Sequence, residues 1–123
     1  MKSALNWFEI PSTNFERAVK FYGDSLGQPL RRAEMGGTPN GVFPYEADEH
    51  DRAVGGSVIF DENVKPSASG VTVYLNCTGI IDEVLARVPK AGGQVLSPKI
   101  DTPVGSQAVI LDSEGNRIAL HAA

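Results

Sequence analysis

The sequence predicts an α+β domain of two tandem β-α-β-β-β modules, spanning about residues 1–62 and 70–123. Three observations predict it. A β-rich stretch followed by a helical apolar stripe and a glycine stop occurs twice. The stripes Phe15, Ala18, Val19, Tyr22 and Ile81, Val84, Leu85, Val88 stand at a constant offset of 66 residues. The joints Gly27-Gln28-Pro29-Leu30 and Gly93-Gln94-Val95-Leu96 repeat at the same offset. An internal duplication accounts for all three together. A half of about 60 residues would bury too little surface alone, so the modules are expected to form one domain.

Asn6 to Ile10 reads as the first strand, stopped by Pro11 because proline cannot donate to a ladder. Thr13 with Glu16 has the form of a capping box, which opens the first helix. Phe15, Ala18, Val19, Tyr22 and Leu26 form one apolar helical face, and Gly27 ends it. Gln28 to Ala33, Gly41 to Glu46 and Gly56 to Phe60 read as strands, with Gly36 to Asn40 as a turn and Ala47 to Ala53 as a charged loop. Asp61 to Gly70 reads as the linker.

The second module repeats the order. Val71 to Asn76 is a strand, and Ile81 to Val88 is a helix ended by Pro89 and Ala91-Gly92-Gly93. Gln94 to Leu96, Gln107 to Leu111 and Arg117 to His121 are strands, with Asp112 to Asn116 as the last turn.

Composition narrows the function. Hydrophobic residues make up 41% and charged ones 21%, an ordinary globular balance. The net charge of -4, without a basic run, argues against nucleic acid and anionic membrane as partners. Arg31-Arg32 reads as a solvated strand end. The single cysteine, Cys77, excludes an internal disulfide and suits a reducing, cytoplasmic compartment. No apolar run approaches the ~20 residues of a membrane span. A phosphate-binding glycine loop with lysine and a Gly-x-Ser-x-Gly elbow are both missing from the sequence.

Phe8-Glu9-Ile10-Pro11, Glu16-Arg17-Ala18, Phe21-Tyr22, Leu26-Gly27, Ala91-Gly92-Gly93-Gln94-Val95 and Asp112-Ser113-Glu114-Gly115-Asn116-Arg117-Ile118 carry a family resemblance. The chain resembles the vicinal oxygen chelate superfamily, which includes glyoxalase-type lyases, extradiol dioxygenases and bleomycin-resistance proteins. The resemblance covers nearly the whole chain. It implies a curved, half-closed mixed sheet with helices on its outer face and a cavity between the modules. It also implies a homodimer. Metal-using members hold a divalent ion through His, Gln or Glu side chains on the first and last strands of both modules. That ion acts as a Lewis acid on adjacent substrate oxygens.

Carried over residue by residue, those ligand positions fall on Trp7, Thr72, Ala119 and a place near Ser57. Indole and methyl groups cannot coordinate a hard cation, so no catalytic metal or other cofactor is expected. His121 and Glu9 share strand faces with Ala119 and Trp7, and could build a relocated site. Two donors are too few to make one on their own.

The expected ligand-binding residues are Trp7, Thr72, Tyr74 and Asn76. Trp7 offers a stacking surface, and Tyr74 and Asn76 offer hydrogen bonds. Trp7 can equally be a filler of vacated space. Glu9 and His121 are the candidates for proton transfer, because a carboxylate desolvated in a cavity suits a general base. A structural acid and a solvated histidine are the alternatives. Cys77 reads as a small buried hydrophobe and His50 as a surface residue. Two functions follow. The first is a metal-independent protein that binds a small, partly aromatic molecule. The second is a glyoxalase-type lyase or isomerase using Glu9 or His121, with or without an unusual metal.

Overall fold

A computed structural model describes residues 3–47 and 53–123. The first module contains β1 (Trp7–Ser12), α1 (Phe15–Leu26), β2 (Arg31–Met35), β3 (Thr38–Val42) and β4 (Gly55–Phe60). The second contains β5 (Tyr74–Asn76), α2 (Ile81–Ala91), β6 (Gln94–Thr102), β7 (Gly105–Leu111) and β8 (Arg117–Ala122). Each module makes its own four-stranded sheet, in the orders β1-β4-β3-β2 and β5-β8-β7-β6. The first and fourth strands of each module run parallel and the remaining pairs antiparallel. The identical topology is the duplication that the offset predicts.

Several boundaries move, each for a local reason. Pro11 does not stop β1, which continues to Ser12. Among the described residues that strand is an edge paired only to β4, where a missing donor is tolerated. Thr13 and Glu16 form no capping box. Asn14 is the cap, its side chain accepting from the Arg17 N–H at 3.0 Å, while Glu16 pairs with Arg32. The turn before β3 shrinks to Gly36-Gly37, so β3 begins at Thr38 and ends at Val42. Pro39 fits there because pairing with β4 starts only at Asn40.

Helix α2 runs through Pro89 to Ala91, because a proline in the last turn removes only one intrahelical donor. Gly27 and Gly92 are the left-handed caps of the two helices. Gly93, aligned with Gly27 by sequence, instead leaves room for the Phe21 ring. Strand β6 continues past Leu96 to Thr102 through two register shifts, which accommodate Pro98. Strand β5 is only three residues long, its beginning at Val71–Val73 lying outside the ladder.

Helices α1 and α2 pack on one another, whereas strands of one sheet make no substantial contact with strands of the other among the described residues. A single core joins the modules. It includes Ile10, Phe21, Tyr22 and Val58 from the first and Leu75, Val84, Ile110 and Leu120 from the second. No described helix is long and apolar enough to cross a membrane.

The turn between β7 and β8 fastens the second module to the first. The Tyr22 hydroxyl donates to the Asp112 carboxylate at 2.6 Å, and the Asn116 amide donates to the Pro11 carbonyl at 2.8 Å. Burial, reinforced by the Asp112 charge, pushes the Tyr22 hydroxyl well above its ordinary range. Glu114 accepts from the backbone N–H groups of Thr13 and Asn14 at 2.9 and 2.8 Å and from Arg17 Nε at 2.7 Å. Burial raises its pKa, but hydrogen bonds from Arg17, Asn14, Ser113 and Thr13 outweigh burial and hold it at about 2.

Because the folded-state value lies below the unfolded one, this stabilisation is complete above the ordinary carboxylate value of 4.5 and fades as pH falls through about 2. Glu114→Gln is expected to cost about 2 kcal/mol at pH 7 and about half as much at pH 3. Urea unfolding of both chains at the two pH values checks this. An equal gap at both would contradict it.

Candidate functional site

Residues paired across a ladder project to the same face, which sorts the candidate side chains. Phe8, Ile10, Val58 and Gly41 lie on the helix side of the first sheet. Trp7, Glu9, Ser57 and Asn40 lie on the helix-free side, since Trp7 pairs with Gly55, Glu9 with Ser57 and Asn40 with Ile59. In the second sheet, Leu75 and Leu120 face the core. Tyr74, Asn76, Ala119 and His121 share the helix-free face, with Tyr74 opposite Ala119 and Asn76 opposite His121.

On the first face, the only tryptophan of the chain meets a tyrosine that the sequence reading placed in a strand and did not single out. The rings of Trp7 and Tyr45 lie 6.2 Å apart at 80°, edge to face. Gly55 makes this contact possible, since a Cβ there would come within 2.5 Å of the Tyr45 ring. Below it, the buried Ser57 hydroxyl donates to the buried Asn40 Oδ1 at 2.6 Å. Asn40 was also missed. The available signal was the doublet Gly55-Gly56 in a strand, which marks a close approach.

Glu9 is exposed, so the expected desolvation of its carboxyl is not found. On the second face, Tyr74 is 57% exposed and Asn76 is exposed, its side chain accepting from the Thr78 N–H. The Thr72 hydroxyl accepts from Arg117 at 2.8 Å. His121 is half-buried, with Nε2 2.7 Å from the Val104 carbonyl, and so ties down the β6–β7 hairpin.

The structure therefore brings Trp7 and Glu9 together on one sheet, and Thr72, Tyr74, Asn76 and His121 together on the other. Among the described residues, no hydrogen bond or ring contact joins the two groups. Glu9 and His121 stand on different sheets. Cys77 is fully buried, and burial pushes its thiol up to about 11, as befits an inert core residue. His50 lies outside the described residues. A shallow cavity of about 430 Å³ opens elsewhere, near Phe15, Arg32 and Pro39. Its Arg32 is paired to Glu16 and lies over the Phe15 ring.

The core-facing pairs Ile10/Leu75 and Val58/Leu120 make Trp7 equivalent to Thr72, and Ser57 equivalent to Ala119. These four are the positions where the resemblance puts metal ligands. They supply an indole, a hydroxyl donating to Asn40, a hydroxyl accepting from Arg117, and a methyl group. That donor set does not fit a divalent ion. No group of three His, Cys, Asp or Glu side chains comes together among the described residues.

The sequence profile of the Glyoxalase/Bleomycin resistance protein/Dioxygenase superfamily matches residues 4–120. The chain belongs to this superfamily. A glyoxylase-like domain-containing protein from Didymella fabae is 31% identical, covering 94% of this chain and 91% of that one. A glyoxalase/bleomycin resistance protein from Albidiferax ferrireducens T118 superposes with a TM-score of 0.75 at 18% identity, over 98% of this chain and 99% of that one. TnmS3, an antibiotic binding protein from Streptomyces sp. CB03234, superposes with a TM-score of 0.64 at 25% identity, over 98% and 95%. Membership accounts for the doubled module.

Tyr45→Ala is expected to shift Trp7 emission to longer wavelength and raise its quenching by acrylamide. It should cost less than about 1.5 kcal/mol of stability. Fluorescence of the two chains checks this, and unchanged spectra would contradict the edge-to-face contact.

Proposed function

We propose that this chain is a binding protein of its superfamily that holds a small, partly aromatic molecule without a catalytic metal. The observation that carries the reading is the aromatic corner of Trp7 and Tyr45, built where a metal ligand would stand. Trp7 supplies a stacking surface, and Glu9 lies two residues along the same face. Tyr74 and Asn76 present further stacking and hydrogen-bonding groups on the second sheet. An antibiotic binding protein among the similar structures supports the same reading.

We infer further that the chain works as a cytoplasmic homodimer. Among the described residues the two helix-free faces are not joined within one chain, and a second copy can set one opposite the other. In that arrangement Thr72, Tyr74 and Asn76 of one copy complete the site around Trp7. The buried, unpaired Cys77 suits a reducing compartment.

Purified protein is expected to carry no stoichiometric Ni, Zn, Mn or Fe, and to bind small aromatic compounds equally well with and without EDTA. Trp7→Ala should weaken that binding by about tenfold or more. Elemental analysis with a thermal-shift screen reads all three. Stoichiometric metal together with methylglyoxal–glutathione lyase turnover would instead establish the lyase reading, in which the exposed Glu9 is the available base.

A further inference from the structure

The Trp7–Tyr45 corner carries a chemical preference beyond aromatic stacking. Both rings are electron-rich on their faces, and at 80° the edge of one meets the face of the other. Tyr45 is 44% exposed, so its ring is accessible, and Trp7 is half-buried. Glu9 projects from the face of β1 that carries Trp7, about 7 Å further along the strand. It is exposed, as is Glu46 immediately after Tyr45. Aromatic faces attract a cation through their quadrupole, and the carboxylates add to that attraction. The net charge of -4 acts in the same direction.

Resting on the binding function proposed above, we infer that this corner selects organic cations, specifically ammonium groups carried on an aromatic ring. The ring packs against Trp7 while the ammonium sits in the angle between Trp7 and Tyr45, toward Glu9. Gly55 is the positioning residue, because any side chain there would displace Tyr45.

Trp7 is the only tryptophan, so its fluorescence reports binding at this place alone. The full chain is titrated with benzyltrimethylammonium and with neutral benzyl alcohol at physiological salt. The cation is expected to bind about tenfold more tightly. Glu9→Gln and Tyr45→Leu should each reduce that preference to about threefold or less, in chains whose unfolding midpoints show them to be folded. Equal affinity of the parent chain for the two probes would overturn the cation preference while leaving aromatic binding intact. A preference that survives both substitutions would remove the corner as its source. Binding of neither probe would overturn the aromatic-binding function as well.

Discussion

The turn from Asp112 to Asn116 is the constraint on which the arrangement of the two modules depends. It closes the last hairpin of the second module, and its side chains are spent on the first. Glu114 takes the N–H groups at the start of α1, Asp112 accepts from the buried Tyr22 hydroxyl, and Asn116 holds the Pro11 carbonyl. Each of these groups would carry a desolvation cost if left alone. Paired, they set where β1 ends and where α1 begins. The position of Trp7 and Glu9 on β1 follows from that anchoring.

The duplication was readable in the sequence because it is written in core residues. The stripes on α1 and α2 have to bury against their sheets, so their period survives divergence. Boundaries were less readable, because neighbours decide them. Pro11 and Pro39 look like strand breakers but sit where a donor is not needed. Thr13 looks like a cap, yet its N–H and hydroxyl are taken by Glu114 from 101 residues away. No local pattern announces that partner.

The faces of the candidate residues were readable, but not their neighbours. Trp7 and Glu9 follow from strand alternation, as do Tyr74, Asn76 and His121. Alternation sorts residues to faces but does not say which faces meet. The contact between Trp7 and Tyr45 is non-local in the same way. It depends on a missing side chain at Gly55, across the ladder from Trp7. His121 illustrates the converse. Alternation puts it on the face of Ala119, but its ring nitrogen is engaged by the Val104 carbonyl in the hairpin.

The fold is that of the superfamily, while the side chains at Trp7, Ser57, Thr72 and Ala119 do not make a donor set suited to a hard cation. An aromatic corner occupies one of those places. Amide and indole chemical-shift mapping by NMR, in the presence of EDTA, tests this most directly. On adding benzyltrimethylammonium, the largest shifts are predicted at the Trp7 indole N–H and at Glu9, Tyr45 and Ser57. Shifts centred on Phe15 and Arg32, or appearing only after a divalent metal is supplied, would contradict it.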